Sequence, residues 1–182
     1  MVFTVFHYPI PYILHKRFKS SCFLFLILSS TVQDLESILM FFFGFPPPYN
    51  RGVLHSFLGA ATIDLIIALA LTPLFIFLLI KHLFKFDYYV KDFIFKLTFR
   101  DFILGFLCCV SHILIDSLHH AYNPVFTPFL KESFDKLVLF NNWVKASLII
   151  QFSFGILTLW ILIYEAGKAK SIKEFVKSIL ID

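Results

Sequence analysis

Charged residues are scarce in this chain of 182 residues, of which Asp, Glu, Lys and Arg make up 15%. It has no block of basic residues interleaved with aromatic residues, the pattern typical of proteins that bind nucleic acid. No positive stretch precedes the apolar residues 2–14, and the basic cluster at 16–19 follows them, the reverse of the order in a secretory signal peptide. We therefore expect no nucleic-acid partner and no secretory signal in this segment.

Cysteine is equally rare, with Cys22, Cys108 and Cys109 as the three examples. All three lie in apolar runs and none has the CxxC spacing of metal or redox motifs. This excludes a disulfide framework and favours small packing residues.

Apolar residues dominate instead. The chain is 59% hydrophobic, contains 26 phenylalanines and has a mean hydropathy of +0.83, whereas a soluble domain has about 45–50% apolar residues. The composition predicts an integral membrane protein. We expect a membrane helical domain over residues 1–166 and a basic amphipathic tail over residues 167–182.

Five apolar segments can be drawn, and they predict an all-α integral membrane bundle of four to five transmembrane helices. They cover residues 2–15, 21–43, 53–80, 101–120 and 143–164. In the tail, apolar residues recur at helical spacing opposite Lys173 and Lys177, which favours an amphipathic helix on the membrane surface; a disordered tail is the alternative.

The basic residues orient the chain. Three lie at 16–19, five within 81–100, a segment expected on the membrane surface, and four within 168–177. By the positive-inside rule these groups belong in the cytoplasm, so the loops at 44–52 and 121–142 face outward. We expect a multi-pass protein of the plasma membrane.

The most informative stretch runs from His112 to His120. On a helix, His112, Asp116 and His119 fall within about 60° of one another, with His120 at the edge of that face. Imidazole and carboxylate groups are ligands of divalent metals such as zinc. The alternatives are a polar helix end at the lipid–water interface and a His–Asp hydrogen bond that joins helices.

The predicted topology adds residues from other helices at the same level. A hairpin that turns at 16–21 would carry His7 and Asp34 into the outer half of the bilayer, where His55 begins the third segment. The topology thus brings several polar side chains to one level and predicts a polar functional centre there, whose residue types suit a divalent metal with zinc as the expected ion. Its members are His7, Asp34, Glu36, His55, His112, Asp116 and one or both of His119 and His120.

Two further roles follow from residue type. Asp34 and Glu36 would serve as oxygen ligands or as a catalytic general base; the alternative is a polar break between two helices. Arg51 could bind an anionic group of a substrate through paired hydrogen bonds, or it could anchor the chain to lipid headgroups.

Four phrases resemble a known family, the predicted membrane-bound metal-dependent hydrolases and a related group of bacterial and archaeal membrane proteins. They are FTVFHYPIP at 3–11, SSTVQDLE at 29–36, NRGVLHS at 50–56, and the set Gly105, Ser111, His112, Asp116 and His120 followed by Pro128 and Phe129. Gln33 and Asn50 depart from the pattern, since relatives have proline and histidine there. The resemblance covers residues 1–130.

The resemblance implies a helical membrane fold with a metal site at His7, Asp34, His55, His112, Asp116 and His120. It favours His120 over His119 as the ligand after Asp116. We therefore expect hydrolysis of an ester or phosphoester, with a lipid among the candidate substrates, at the outer face. The alternative is a membrane protein without catalytic activity, a small transporter or a structural subunit, whose polar cluster joins helices.

Overall fold

The structure, a computed structural model, describes residues 4–19, 22–47, 49–85, 96–130 and 132–181. Within these ranges the protein has eight α-helices and no strand. The helices are α1 (Pro9–Phe18), α2 (Phe23–Ser29), α3 (Gln33–Phe42), α4 (Phe57–Ala61), α5 (Ile63–Phe75), α6 (Phe99–Ser117), α7 (Trp143–Lys168) and α8 (Ile172–Leu180). The all-α prediction is confirmed.

Shorter helical pieces complete these elements. A 3₁₀ turn at Thr4–His7 precedes α1, and a second at Val53–His55 precedes α4. A π-helical stretch, Ile76–Leu83, continues α5. The predicted surface segment at 81–100 lies partly outside the described residues, which stop at Lys85 and resume at Lys96.

The prediction of four to five spanning helices is wrong for the described residues. Two helical stretches, Ile63–Leu83 and Trp143–Lys168, are long and apolar enough to cross a membrane, and α2 with α3 would make a third if that bent pair is one span. The α1 helix has 10 residues and reaches roughly 15 Å. The α6 helix is longer but carries Arg100, Asp101 and Asp116, and charged residues are costly inside a bilayer.

The segment predicted as one helix over 21–43 is broken in the middle. Its two halves, α2 and α3, are bent by 45°. At the break, the Ser29 hydroxyl donates to the Phe25 carbonyl, and the Thr31 hydroxyl donates to the Ile27 carbonyl. Such side-chain bonds compete with the helical backbone pattern. The bend turns the polar start of α3 away from the axis of α2.

The apolar core surrounds α2, which packs against α5 and α6. Phe25 and Leu26 are fully buried together with Ala68 of α5 and Cys108 of α6. Gly105 permits the close approach, because a Cβ atom there would lie 2.8 Å from the Phe25 ring. All three cysteines are buried free thiols, in agreement with their predicted packing role.

Local sequence sets several helix ends. Pro9 and Pro11 lie in the first turn of α1, where the missing N–H costs nothing. Thr98 and Asp101 form a capping box at the start of α6, and Asn142 caps α7 by accepting from the Lys145 amide at 3.1 Å. The capping box fixes where α6 begins, and His112 and Asp116 lie near the opposite end of this helix.

The tail forms the helix α8, which packs against α7 and α2. Ser171 caps it by accepting from the Glu174 amide at 3.2 Å. Val176 of this helix is buried, and the Ile179 carbonyl accepts a hydrogen bond from the Tyr8 hydroxyl at 3.1 Å. The helical alternative for the tail is therefore the one that forms.

Candidate metal centre

Four separate parts of the chain meet at the end of α6. His7 comes from the turn before α1, Asp34 from the first turn of α3, His55 from the turn before α4, His112 and Asp116 from α6, and His119 and His120 from the residues just after it. We call these seven residues the histidine–aspartate centre. All are buried except His120, whose side chain is 13% exposed.

Asp116 lies in the middle of this centre. Its Oδ2 lies 3.3 Å from Nε2 of His112 and 3.8 Å from Nε2 of His55. Its Oδ1 lies 3.6 Å from Nε2 of His7, 3.8 Å from that of His119 and 3.6 Å from that of His120. The expected convergence of these side chains is thus present in the fold, and both oxygens of one carboxylate face imidazole nitrogens.

Asp34 approaches the same group from α3. Its Oδ1 lies 3.8 Å from Nε2 of His112. His7 stacks on His112, with ring centroids 3.9 Å apart. Asp34 lies four residues after Ser30, whose carbonyl contacts the same imidazole, so the chain lies against His112 on both sides of the break between α2 and α3.

Three of the histidines are held through Nδ1. His112 contacts the Ser30 carbonyl at 2.8 Å, His119 contacts the Ile115 carbonyl at 2.7 Å, and His55 contacts Oε2 of Glu36 at 2.9 Å. A carbonyl can only accept, so Nδ1 of His112 and of His119 carries the proton. In the neutral form of each ring the lone pair then lies on Nε2, and a backbone carbonyl that orients the ring through Nδ1 is typical of histidines that bind metals.

The Nε2 atoms of His55, His112, His119 and His120 are all buried without a hydrogen bond. So are Nδ1 of His7, Oδ2 of Asp34 and Oδ1 of Asp116. Nε2 of His112 lies 3.3 Å from Oδ2 of Asp116, an ion-pair distance. Buried polar atoms normally have partners, so a cluster of orphaned acceptors indicates a missing cation or donor.

The donor atoms form three sets in which all members lie within 4.8 Å of one another. The sets are Asp34, His55 and His112; Asp116, His119 and His120; and His7, His112 and Asp116. Nitrogen and carboxylate oxygen ligands suit zinc and other divalent metals of the first transition row. The residues present therefore fit a metal ion, whose identity the geometry leaves open.

Burial would lower the pKa of His112, but the Asp116 carboxylate raises it to about 9, so a metal would have to displace a proton from this imidazole. Burial keeps His55 and His119 in the form that binds metal. It lowers the pKa of His55 to about 4, and it lowers the pKa of His119 to about 4 as well. Both imidazoles are consequently neutral at pH 7. Only a neutral imidazole offers a lone pair to a metal.

Glu36 and Arg51 lie behind and beside the ligands. Glu36 accepts from the amides of Gly52 and Leu54 at 2.8 and 3.2 Å, in addition to its contact with His55. Arg51 donates to Oδ2 of Asp116 at 2.7 Å and is 7% exposed. The structure thus gives Glu36 an anchoring contact and gives Arg51 a buried carboxylate partner; their predicted catalytic and substrate-binding roles stay predictions.

Two amide side chains, those of Asn50 and Gln33, form hydrogen bonds with residues outside the centre. The Asn50 amide donates to the Ser37 carbonyl at 3.1 Å and is buried. Gln33, the other departure from the family pattern, donates to Oδ2 of Asp64 at 2.9 Å. Both amides therefore have structural contacts at the edges of the centre.

A cavity of about 210 Å³ opens beside His120. His120, Ala121, Asp135, Val138, Asn141 and Trp143 line it. The loop after α6 is folded back over this end of the helix, because the Leu139 amide donates to the Leu118 carbonyl at 2.9 Å and the Phe134 amide donates to the Asn123 carbonyl at 2.9 Å. Among the seven residues of the centre, His120 is the one that lines this opening.

Sequence reasoning missed the supports of the ligands. The Ser30 and Ile115 carbonyls have no side-chain signature, and only the folded backbone shows which imidazole they contact. The sequence pointed to Glu36, which lies two residues after Asp34, but it did not indicate the contact of Glu36 with His55.

The fold and the site define an all-α protein with two or three candidate membrane helices and a buried His/Asp cluster able to hold a metal ion. Comparison with family models, with curated proteins and with solved structures finds no match for the chain. The proposed resemblance to membrane-bound hydrolases stays a prediction.

Proposed function

We propose that this protein is a multi-pass protein of the plasma membrane and that it binds a divalent metal ion, with zinc as the first candidate. We further propose that it hydrolyses an ester or phosphoester at the outer membrane face. The observation that carries the proposal is the set of buried imidazoles whose Nδ1 is already bonded and whose Nε2 faces two carboxylates without a hydrogen bond. That arrangement is typical of histidines that ligate a metal.

The energetics favour a bound cation. Leaving one buried polar atom without a partner costs about 1–3 kcal/mol, and the centre contains seven such imidazole and carboxylate atoms. Their combined cost would rival the whole stability of a domain, about 5–15 kcal/mol. Water could satisfy some of these atoms, but it does not offset charge.

The charge of the centre supports the same reading. Asp34, Glu36 and Asp116 face Arg51 and His112, and although burial opposes the shift, the Asp116 carboxylate raises the pKa of His112 to about 9. A divalent ion that replaced the Nε2 proton of His112 would meet three carboxylates and one guanidinium group, an excess of two negative charges that equals its own charge. Buried charges are stable only when they are compensated.

Hydrolysis is the chemistry that this donor set suits. A divalent ion, when bound, acts as a Lewis acid and activates water for attack on an ester or phosphoester. Asp34 would take the proton at Oδ2, the oxygen that has no hydrogen bond. Arg51 would orient an anionic group while it remains beside Asp116.

The cavity beside His120 supports a route for the substrate. It is the opening that touches the centre through His120, and Trp143 on its wall begins the apolar helix α7. Tryptophan is enriched where a membrane helix meets water. A substrate at the level of the lipid headgroups would reach His120 first, which favours a lipid or a lipid-like ester.

Elemental analysis of the purified protein tests the proposal. Protein prepared in detergent without chelators should carry about one to two divalent ions per chain, and Asp116→Asn should remove them. Glu165→Gln is the matched control, since Glu165 is a buried carboxylate outside the centre. Negligible metal in the parent, or unchanged metal in Asp116→Asn, would overturn the proposal.

Activity is tested separately with a chromogenic phosphoester. The loaded parent should release the chromophore, and removal of the metal or Asp34→Asn should abolish the release. A parent that binds metal but hydrolyses neither esters nor phosphoesters would retain the metal centre and refute the hydrolase.

A second candidate function is structural. The contact of 2.7 Å between Arg51 and Asp116 joins the segment before α4 to α6 within the buried region. If this pair only joins helices, Asp116→Asn should lower the melting temperature of a parent that contains no metal.

A further inference from the structure

The two oxygens of Asp116 face different histidines. Oδ2 lies near His55 and His112, at 3.8 and 3.3 Å, whereas Oδ1 lies near His119 and His120, at 3.8 and 3.6 Å. The carboxylate therefore stands between two separate pairs of imidazole nitrogens. A carboxylate has about four lone-pair sites, so each oxygen can bind a different cation.

We propose that the histidine–aspartate centre holds two divalent ions that share Asp116 as a bridging ligand. The enclosed position consists of Asp34, His55 and His112 with Oδ2 of Asp116. The cavity-side position consists of His119 and His120 with Oδ1 of Asp116. This inference rests on the metal binding put forward above and deepens it.

The spacing within each position agrees with a metal between the donors. Ligand atoms at 2.0–2.2 Å from a tetrahedral zinc stand roughly 3.3–3.6 Å from one another. The distances between Asp116 and the four nitrogens run from 3.3 to 3.8 Å. Small movements of the side chains would close the remaining difference.

His7 lies between the two positions. Its ring stacks on His112 of the enclosed position, yet its Nε2 lies 3.6 Å from Oδ1 of Asp116, the oxygen on the cavity side. It forms a ligand set with His112 and Asp116. His7 could thus complete the coordination of either ion without a change in the backbone.

Arg51 is compatible with the bridge. It donates to Oδ2 at 2.7 Å, and that oxygen keeps a second lone pair for an ion. The guanidinium group also repels a cation at this oxygen, which sets a limit on the affinity of the enclosed position. Asp34 and the Glu36 carboxylate behind His55 offset that repulsion.

The two positions should differ in affinity. The enclosed position has a carboxylate of its own, Asp34. The cavity-side position has two imidazoles and, besides the shared Asp116, no carboxylate in its ligand set. The second ion would therefore meet less negative charge and the repulsion of the first ion, so it binds more weakly and attracts an anionic substrate beside the cavity.

Titration of metal-depleted protein with Co²⁺ tests the inference, with binding measured by equilibrium dialysis and by visible absorption. The parent should bind two ions per chain, the second about tenfold or more weakly. His120→Asn should remove only the weaker ion, Asp34→Asn should weaken only the tighter one, and Asp116→Asn should weaken both. Two equivalents of Mn²⁺ should give an EPR spectrum of coupled ions.

The failures of the two proposals are distinguishable. No bound ion in the parent overturns metal binding itself, and with it this inference. If the parent binds one ion per chain at saturation, and Asp34→Asn and His120→Asn each abolish its binding, the two-ion centre is overturned while metal binding itself stands. His119→Asn is a second cavity-side variant, should His120→Asn fail to yield folded protein by size-exclusion chromatography.

Discussion

Asp116 and Glu165 are both buried carboxylates, at 3% and 4% exposure, but their surroundings differ. Glu165 on α7 accepts a hydrogen bond from the Tyr12 hydroxyl, and the ammonium group of Lys16 lies 3.8 Å away. No atom of this second cluster is among the buried, unpaired side-chain atoms of the described residues. Around Asp116, by contrast, five imidazole nitrogens and two carboxylate oxygens are unpaired.

The difference shows what distinguishes a structural polar cluster from a candidate site. Burial and charge are common to both regions. In the Glu165 cluster, hydroxyl and ammonium donors meet a carboxylate acceptor, so the groups compensate one another. In the histidine–aspartate centre, Arg51 donates to one oxygen of Asp116, but most of the imidazole and carboxylate atoms that meet there have no hydrogen-bond partner, and a cation would compensate them.

The largest expected effect is on metal binding. Asp116→Asn should weaken divalent metal binding at least about 100-fold, because the one side chain that faces every nitrogen pair loses its charge. Elemental analysis after dialysis measures the loss. Glu165→Gln should keep the metal content of the parent, and a loss in both variants would remove the contrast between the two clusters.

Removal of the metal should come next. A ligand that binds only the folded state stabilises it by about 4 kcal/mol at 1,000 times its Kd. A chelator should therefore lower the melting temperature of the parent, followed in detergent by tryptophan fluorescence. The Asp116→Asn variant should show no such shift, and an equal shift in both would point to a metal bound elsewhere.

Glu36→Gln should weaken the binding of the tighter ion about 10-fold, because the group behind His55 loses its charge and no longer favours the correct ring orientation. Metal titration measures the change. Glu132→Gln, at an exposed carboxylate, should leave the affinity unaltered. Complete loss of metal with Glu36→Gln would contradict the anchoring role and favour direct ligation.

The smallest effect belongs to the Glu165 cluster. Tyr12→Phe removes a buried donor to a carboxylate and should lower the free energy of unfolding by about 1–3 kcal/mol, with unchanged metal content. Thermal unfolding and elemental analysis of the same sample check both parts. Tyr49→Phe, at a side chain that is 63% exposed, should leave stability nearly unchanged.

Much of the site was predictable because of its spacing. His112 and Asp116 are four residues apart, and any helix places such a pair on one face. The predicted topology placed His7, Asp34 and His55 at one level; the number of spans behind it is wrong for the described residues, yet the structure brings these residues together. Which of His119 and His120 takes part was not predictable, and in the structure both approach Asp116.

The number of spanning helices was predicted less well, because apolar composition does not report breaks. Residues 21–43 are apolar enough to read as one helix, yet the hydroxyls of Ser29 and Thr31 bond to the backbone and the chain bends. Ser30 and Asp34, on the two sides of this break, both lie against His112. The feature that invalidates the simple count of helices therefore lies beside the centre.

By itself the sequence determined the helical class, the apolar segments, the caps of α6 and α7, and the residue types of the centre, since these depend on composition and local spacing. Only the tertiary structure decided that Arg51 pairs with Asp116, that Glu36 lies behind His55, and which nitrogen of each imidazole remains unpaired. These contacts depend on how neighbouring helices bend and rotate and on where backbone carbonyls point, and periodicity along the chain specifies neither.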